Sequence, residues 1–82
     1  MFILPLHSEI ALYLKDHSLD KKFSEKIKFL KNNFRHSSLN MEILKPRHLR
    51  IYSFRVDKKY RAIFIFRNSQ TIEILDVNNH YR

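Results

Sequence analysis

The spacing of apolar positions changes along the chain, and each change marks an element. "MFILPL" (1–6) is a short apolar run. It reads as a strand, and Pro5, which cannot donate to a ladder, puts it at a sheet edge. "SEIALYLKDH" follows, with Ser8 as a suitable N-cap and Ile10, Leu12, Tyr13 and Leu14 forming a short helix. In "SLDKKFSEKIKFLKNNF" (18–34), Phe23, Ile27, Leu30 and Phe34 recur at spacings of four, three and four, with lysines between them. That pattern predicts an amphipathic helix, which Asn32 and Asn33 stop. The link around His17 to Asp20 is short enough to make the two helices a hairpin.

"RHSSLNMEILKPRH" (35–48) has turn residues at both ends and Pro46 inside. It reads as a loop with a short extended piece around Met41 to Leu44. Three strands then follow near 50–56, 60–67 and 71–77, separated by short turns, which is the spacing of an antiparallel meander. A strand, two helices and then consecutive strands define an α+β class. The predicted architecture is an N-terminal strand and helical hairpin packed on one face of an antiparallel sheet. There is no internal repeat or linker, so residues 1–82 are expected to form a single domain.

Strand alternation assigns faces in "IYSFRVDKKYRAIFIF" (51–66). Tyr52, Phe54 and Val56 share one face with Tyr60, Ala62, Phe64 and Phe66, the natural core. Ile51, Ser53 and Arg55 take the opposite face, as do Arg61, Ile63, Ile65 and Arg67. A three-residue connection, Asp57-Lys58-Lys59, sets Arg55 directly opposite Arg61; two or four residues would separate them unless a bulge intervened. Keeping the aromatics together forces the arginines together. Facing like charges destabilise a strand pair, so the arrangement calls for an anion or a function.

Composition narrows the class. The 82 residues include 16 Lys and Arg against 8 Asp and Glu, a formal net charge of +8. That balance points to an anionic partner, and the even spread of the cations argues against a basic tail. No cysteine is present, which excludes disulfides and thiolate metal sites and suits a reducing cytoplasm. No apolar run reaches the ~20 residues of a membrane span, and the N-terminus lacks the features of a signal peptide. Glycine is absent too, so a Gly-rich phosphate loop is excluded. Left-handed turn positions should fall to Asn or Asp.

"HSSLNMEILK", "YSFRVDKKYRAIF" and the terminal "NNHY", in this order and spacing, resemble the RelE/ParE superfamily of bacterial type II toxin–antitoxin toxins, and most nearly its YoeB-like branch. The resemblance covers a little over half of the chain. It implies two helices against a twisted antiparallel sheet. For the YoeB-like branch it implies a ribosome-dependent endoribonuclease, an mRNA interferase that cuts messenger RNA in the A site. Glu42 of "EILK" takes the place of the branch's general base. Arg55 of "SFRV" and Arg61 of "YRAIF" match its strand arginines, and His80 and Tyr81 its His-Tyr end, here followed by Arg82. Other members, of the ParE type, inhibit DNA gyrase and lack the nuclease residues. A gyrase inhibitor and a catalytically inactive RNA-binding member are therefore the alternatives.

The residue types suit metal-free RNA cleavage, with no metal and no cofactor. Glu42, the only acid between Glu25 and Asp57, sits among Arg and Lys that favour its anionic form, as a base requires. His80 is a candidate acid for the leaving oxygen, because imidazole is the side-chain type suited to proton transfer near neutral pH. Arg55 and Arg61 suit a bidentate phosphate clamp, and Tyr81 suits stacking on a base or bonding to phosphate. Lys45, Arg47, His48, Arg50 and Arg82 are candidate RNA contacts, and the Lys and Arg among them would make affinity salt-dependent. The other histidines lack zinc-like spacing and read as surface residues, with His36 also placed to meet RNA. The implied partners are mRNA, the ribosome with its 16S rRNA, and a cognate acidic antitoxin that covers this surface or displaces the C-terminal residues. No membrane is involved.

Overall fold

Helix α1 (Ser8–Asp16) and helix α2 (Asp20–Asn32) occupy the two segments of helical period, in a computed structural model that describes residues 1–80. The first helix starts one residue earlier than its sequence suggests. His7, not Ser8, is the cap, and its carbonyl accepts from Ile10 N–H (3.0 Å) and Ala11 N–H (3.1 Å). At the other end Ser18 N–H donates to Lys15 O (3.1 Å) and Leu19 N–H to Leu14 O (2.7 Å). This pair of hydrogen bonds closes a helix when the residue after the cap is left-handed. Leu14 and Leu19, each 2% exposed, supply the apolar contact that goes with it.

That left-handed position normally belongs to glycine, and here it falls to Ser18 (φ 55°). Asn40 (φ 45°) and Arg50 (φ 55°) are the other two among the described residues, so the expectation of Asn or Asp holds only at Asn40. All three directly follow a helical turn: Asn40 the 3₁₀ turn Ser37–Leu39, and Arg50 the 3₁₀ turn Arg47–Leu49. The geometry that ends a helical turn selected these positions, whatever residue stood there.

Five strands form one sheet: β1 (Phe2–Ile3), β2 (Glu42–Ile43), β3 (Ile51–Arg55), β4 (Arg61–Asn68) and β5 (Thr71–Asn78), in the order β1-β5-β4-β3-β2. The pairs from β2 to β5 are antiparallel, as the spacing predicts. The first strand departs from the expected all-antiparallel sheet. It lies at an edge but runs parallel to β5, which makes the sheet mixed. Alternation cannot reveal the direction of a two-residue strand. Parallel pairing needs a crossover, and nearly the whole chain supplies it here.

The helices cover one face. Ile10, Leu14, Phe23 and Leu30 pack on Phe54, Ala62, Phe64, Ile72, Ile74 and Val77, with Leu39 wedged in from the first 3₁₀ turn. Phe54 is fully buried between Phe23 and Phe64, with ring centroids 6.0 Å and 5.9 Å away. Phe34, expected on the helix face, lies beyond the end of α2 and is 41% exposed. A register shift in β5 pairs Ile63 with Asp76 and Phe64 with Ile74. The extra residue restores Val77 to the core side, and Glu73, Asp76 and Asn78 then face away from the helices. Among the described residues, no helix is long and apolar enough to cross a membrane.

A polar clamp joins the start of α1 to the far strands. Glu73, 8% exposed, accepts from His7 Nε2 (2.7 Å) and Arg67 Nε (2.6 Å). The His7 hydrogen bond, opposed by burial and aided by Arg67, holds the Glu73 carboxyl below its ordinary range. A depressed carboxylate stabilises the fold above its unfolded pKa and loses that contribution as pH falls through its folded value. Glu73→Gln should therefore lower the melting temperature at neutral pH, with a deficit that shrinks on acidification below the usual carboxylate range. Ser18→Gly should raise stability, by up to about 1 kcal/mol in urea unfolding, because it relieves the left-handed strain.

Candidate active site

The face turned away from the helices carries the polar residues in rows. Strand pairing sets Glu42 opposite Ser53, Ser53 opposite Ile63, and Ile63 opposite Asp76. The next row is Arg55, Arg61 and Asn78. The two arginines are thus direct cross-strand partners, as the three-residue connection requires. Asp57 makes that turn without glycine. Its Oδ1 accepts from the N–H groups of Lys59 (2.9 Å) and Tyr60 (3.0 Å), while Val56 N–H donates to Tyr60 O (2.9 Å). Burial raises the Asp57 carboxyl, but those N–H groups and Lys22 outweigh it and keep the group below its ordinary value.

The two guanidiniums have different surroundings. Arg55 is exposed, whereas Arg61 is 3% exposed. Arg61 Nε donates to Ser53 Oγ (3.0 Å), and Nη2 donates to Ser53 O (3.3 Å) and to the Asn40 carbonyl. Glu42 Oε2 stands 4.0 Å from Nη2, and the Glu42 side chain is half exposed. Burial lowers the Arg61 pKa from its ordinary value; Glu42 opposes the fall and Arg55 adds to it. A guanidinium remains charged under these conditions. Arg61 is therefore a fixed positive charge, oriented by its neighbours, with a carboxylate beside it and a second cation across the ladder.

Other acids do not neutralise the pair. Asp57 meets Lys22 at 3.5 Å, and Glu73 is taken by His7 and Arg67. Asp76 accepts from Val77 N–H (2.9 Å) and from Asn78 Nδ2 (2.7 Å). Among the described residues Arg61 has Glu42 as its ion-pair partner, and Arg55 has none. An anion between β3 and β4 would meet two positive groups and one carboxylate.

His80 is exposed and follows β5 at the end of the sheet where Arg55, Arg61 and Asn78 stand; its N–H donates to Asn78 Oδ1 (3.0 Å). Asp76 and Asn78 thus form a short polar relay that fixes the chain at His80. Lys45, Arg47, His48 and Arg50 are all exposed in the β2–β3 connection, beyond the opposite end of β3. The length of β3, roughly 16 Å, separates them from the arginine pair. Tyr81 and Arg82 lie outside the described residues. Among the described residues, no group of three His, Asp or Glu is placed to hold a metal ion. Sequence reasoning missed Ser53, Asn40 and Asn78. Ser53 alone was visible, as the one small polar residue on its strand face and a diagonal neighbour of Arg61.

This architecture, an α+β sheet with a helical hairpin on one face, is shared with solved structures of small toxins. The chain superposes on a YoeB/ParE toxin from Agrobacterium tumefaciens with a TM-score of 0.72 and 19% identity, over 99% of this chain and 100% of that one. It superposes on YoeB in a heterotetrameric YoeB–YefM toxin–antitoxin complex from Staphylococcus aureus with a TM-score of 0.71 and 24% identity, over 98% and 94% of the two chains. A YoeB dimer from Staphylococcus aureus gives 0.68 at 24% identity, with the same coverage. No protein-family model and no curated protein matches the chain. The chain shares the fold of these YoeB/ParE toxin structures over 98–99% of its length, in agreement with the sequence resemblance.

Ser53→Ala should expose the dependence of Arg61 on its neighbour. It removes a buried hydrogen bond to a charged donor, and should cost about 1.5–3 kcal/mol in urea unfolding.

Proposed function

We propose that the chain is the toxin of a toxin–antitoxin pair and a ribosome-dependent endoribonuclease that cuts mRNA in the A site. The observation that carries this reading is the arginine pair, Arg55 opposite Arg61, with Glu42 at 4.0 Å from Arg61 Nη2. Such a group fits one phosphodiester. Glu42 takes the proton of the 2′-hydroxyl, and the 2′-oxygen attacks the adjacent phosphorus. Arg55 and Arg61 stabilise the charge of the pentacoordinate phosphorane. The P–O5′ bond breaks, and His80 gives its proton to the departing 5′-oxygen. The products are a 2′,3′-cyclic phosphate and a 5′-hydroxyl, and no water, metal or cofactor is consumed.

Burial divides the labour between the arginines. Arg61 is held in place and supplies a preorganised charge, while exposed Arg55 can move to meet the substrate. Tyr81 would stack on a base or bond to phosphate. Lys45, Arg47, His48 and Arg50 would grip the backbone of 16S rRNA or mRNA, and Arg82 is a further candidate contact. A formal charge of +8 suits both that partner and an acidic antitoxin. YoeB of Staphylococcus aureus is found in complexes with YefM, and a comparable antitoxin is proposed here. The site of action would be the cytoplasm, where ribosomes and transcripts meet.

Primer extension on programmed ribosomes tests the assignment. Glu42→Gln and His80→Ala, both at exposed side chains, should each reduce cleavage by about 10²–10⁴-fold without unfolding the protein. Cleavage equal to wild type in both would remove the catalytic assignment. Intact transcripts accompanied by DNA damage would point to gyrase instead.

A further inference from the structure

A groove of ≈ 350 Å³ adjoins the arginine site and is separate from it. It is lined by Phe34, Arg35, His36, Ser37, Asn40 and Met41. Asn40 links the two places, because its carbonyl accepts from Arg61 Nη2. Met41 is the residue before Glu42. A strand of RNA with one phosphate between Arg55 and Arg61 would therefore have a neighbouring nucleotide at the mouth of this groove.

The lining has the chemistry of a nucleotide site. Phe34 is 41% exposed, which leaves part of its ring open to solvent, and Met41 adds an apolar wall. The Arg35 guanidinium lies over the Phe34 ring, 5.7 Å from its centroid, so a cation sits on one side of the ring and a base would use the other. The His36 ring is locked. It stacks on Phe29 at 4.1 Å with 21° between planes, and its Nδ1 accepts from Ser38 N–H at 3.2 Å. With Nδ1 occupied as an acceptor, the neutral ring carries its proton on Nε2 and offers a fixed donor. Among the described residues no carboxylate lines the groove. Its volume falls within the range of small-ligand sites.

We propose that this groove is a nucleotide subsite, in which Phe34 stacks on the base next to the scissile phosphate, Arg35 meets that nucleotide's own phosphate, and His36 donates to an acceptor on the base edge. The occupant is single-stranded RNA, because a base within a duplex cannot offer its face to Phe34. The proposal rests on the endoribonuclease reading above, but its test separates the two.

The probe is a trinucleotide of 2′-O-methyl RNA, which lacks the nucleophile and stays uncut, titrated into the ¹⁵N-labelled full chain. Amide resonances of residues 34–41 should move. Phe34→Ala should weaken binding by roughly five- to a hundredfold, the loss expected for one base stack. His36→Ala should weaken it less. The same trinucleotide without its bases should bind the wild type no better than RNA binds Phe34→Ala. Phe34 lies outside the core, so the variant should keep the wild-type spectrum elsewhere. Movement of 34–41 by this RNA in a protein that cuts no transcript would sink the nuclease reading and leave the subsite standing. Cleavage by the wild type, with resonances 34–41 unmoved and Phe34→Ala equally active, would overturn the subsite alone. So would movement of 34–41 by an acidic peptide and not by RNA.

Discussion

The buried guanidinium of Arg61 is the constraint around which the polar face is built. A charge at 3% exposure is tolerated only when its donors are satisfied. Three acceptors on two separate segments do this: Ser53 Oγ and Ser53 O on β3, and the carbonyl of Asn40 before β2. Meeting that requirement holds the edge of the sheet against its centre. The left-handed conformation of Asn40 follows the 3₁₀ turn Ser37–Leu39 and leads into β2, leaving its carbonyl against Arg61. Glu42, two residues on, is placed by the same connection. The candidate base and the candidate phosphate-binding charge are thus positioned by one hydrogen-bonded knot.

The opposite face makes this possible. Phe54 and Phe64 are fully buried under the helices and hold β3 and β4 in register, and that register sets Arg55 across from Arg61. A one-residue slip would send every aromatic side chain of one strand to the polar face. The apolar core therefore enforces the arginine pair, because a slip would cost far more burial than the repulsion between exposed Arg55 and buried Arg61 can offset. The register shift at Ile63/Phe64 has a related effect on β5. It lets Ile72, Ile74 and Val77 all reach the core while Asp76 and Asn78 stay on the polar side, where Asn78 anchors the approach to His80.

Features set by periodicity were legible in the sequence. The helical hairpin, the three long strands, the short piece at 42–43, the faces of the aromatics and the facing arginines all follow from apolar spacing and one turn length. The features that escaped depend on tertiary geometry. The direction of β1 is fixed by a partner some 70 residues away, and its two residues carry no directional pattern. Ser18 and Arg50 took left-handed conformations because helical turns ended there in a chain without glycine. The contrast between exposed Arg55 and buried Arg61 was equally invisible. Alternation gives the face of a side chain, but not whether Asn40 and Ser53 close over it.

The placement of acids argues for function over stability. The chain has eight carboxylate side chains, and those nearest the polar face have fixed partners. Glu73 is held by His7 and Arg67, Asp76 by Val77 N–H and Asn78, and Asp57 by its own turn and Lys22. A sequence selected for stability alone would place one of them between Arg55 and Arg61, since an opposite charge there removes a cross-strand repulsion. Instead, among the described residues, the carboxylate beside the pair is Glu42, at 4.0 Å and half exposed. That distance is too long for a strong bidentate pair, so the arginines are not cancelled and the carboxylate is not consumed. Such an arrangement stores unneutralised positive charge at a fixed place. An entering anion such as a phosphate would relieve that repulsion, so the arrangement has the electrostatics of an anion-binding site.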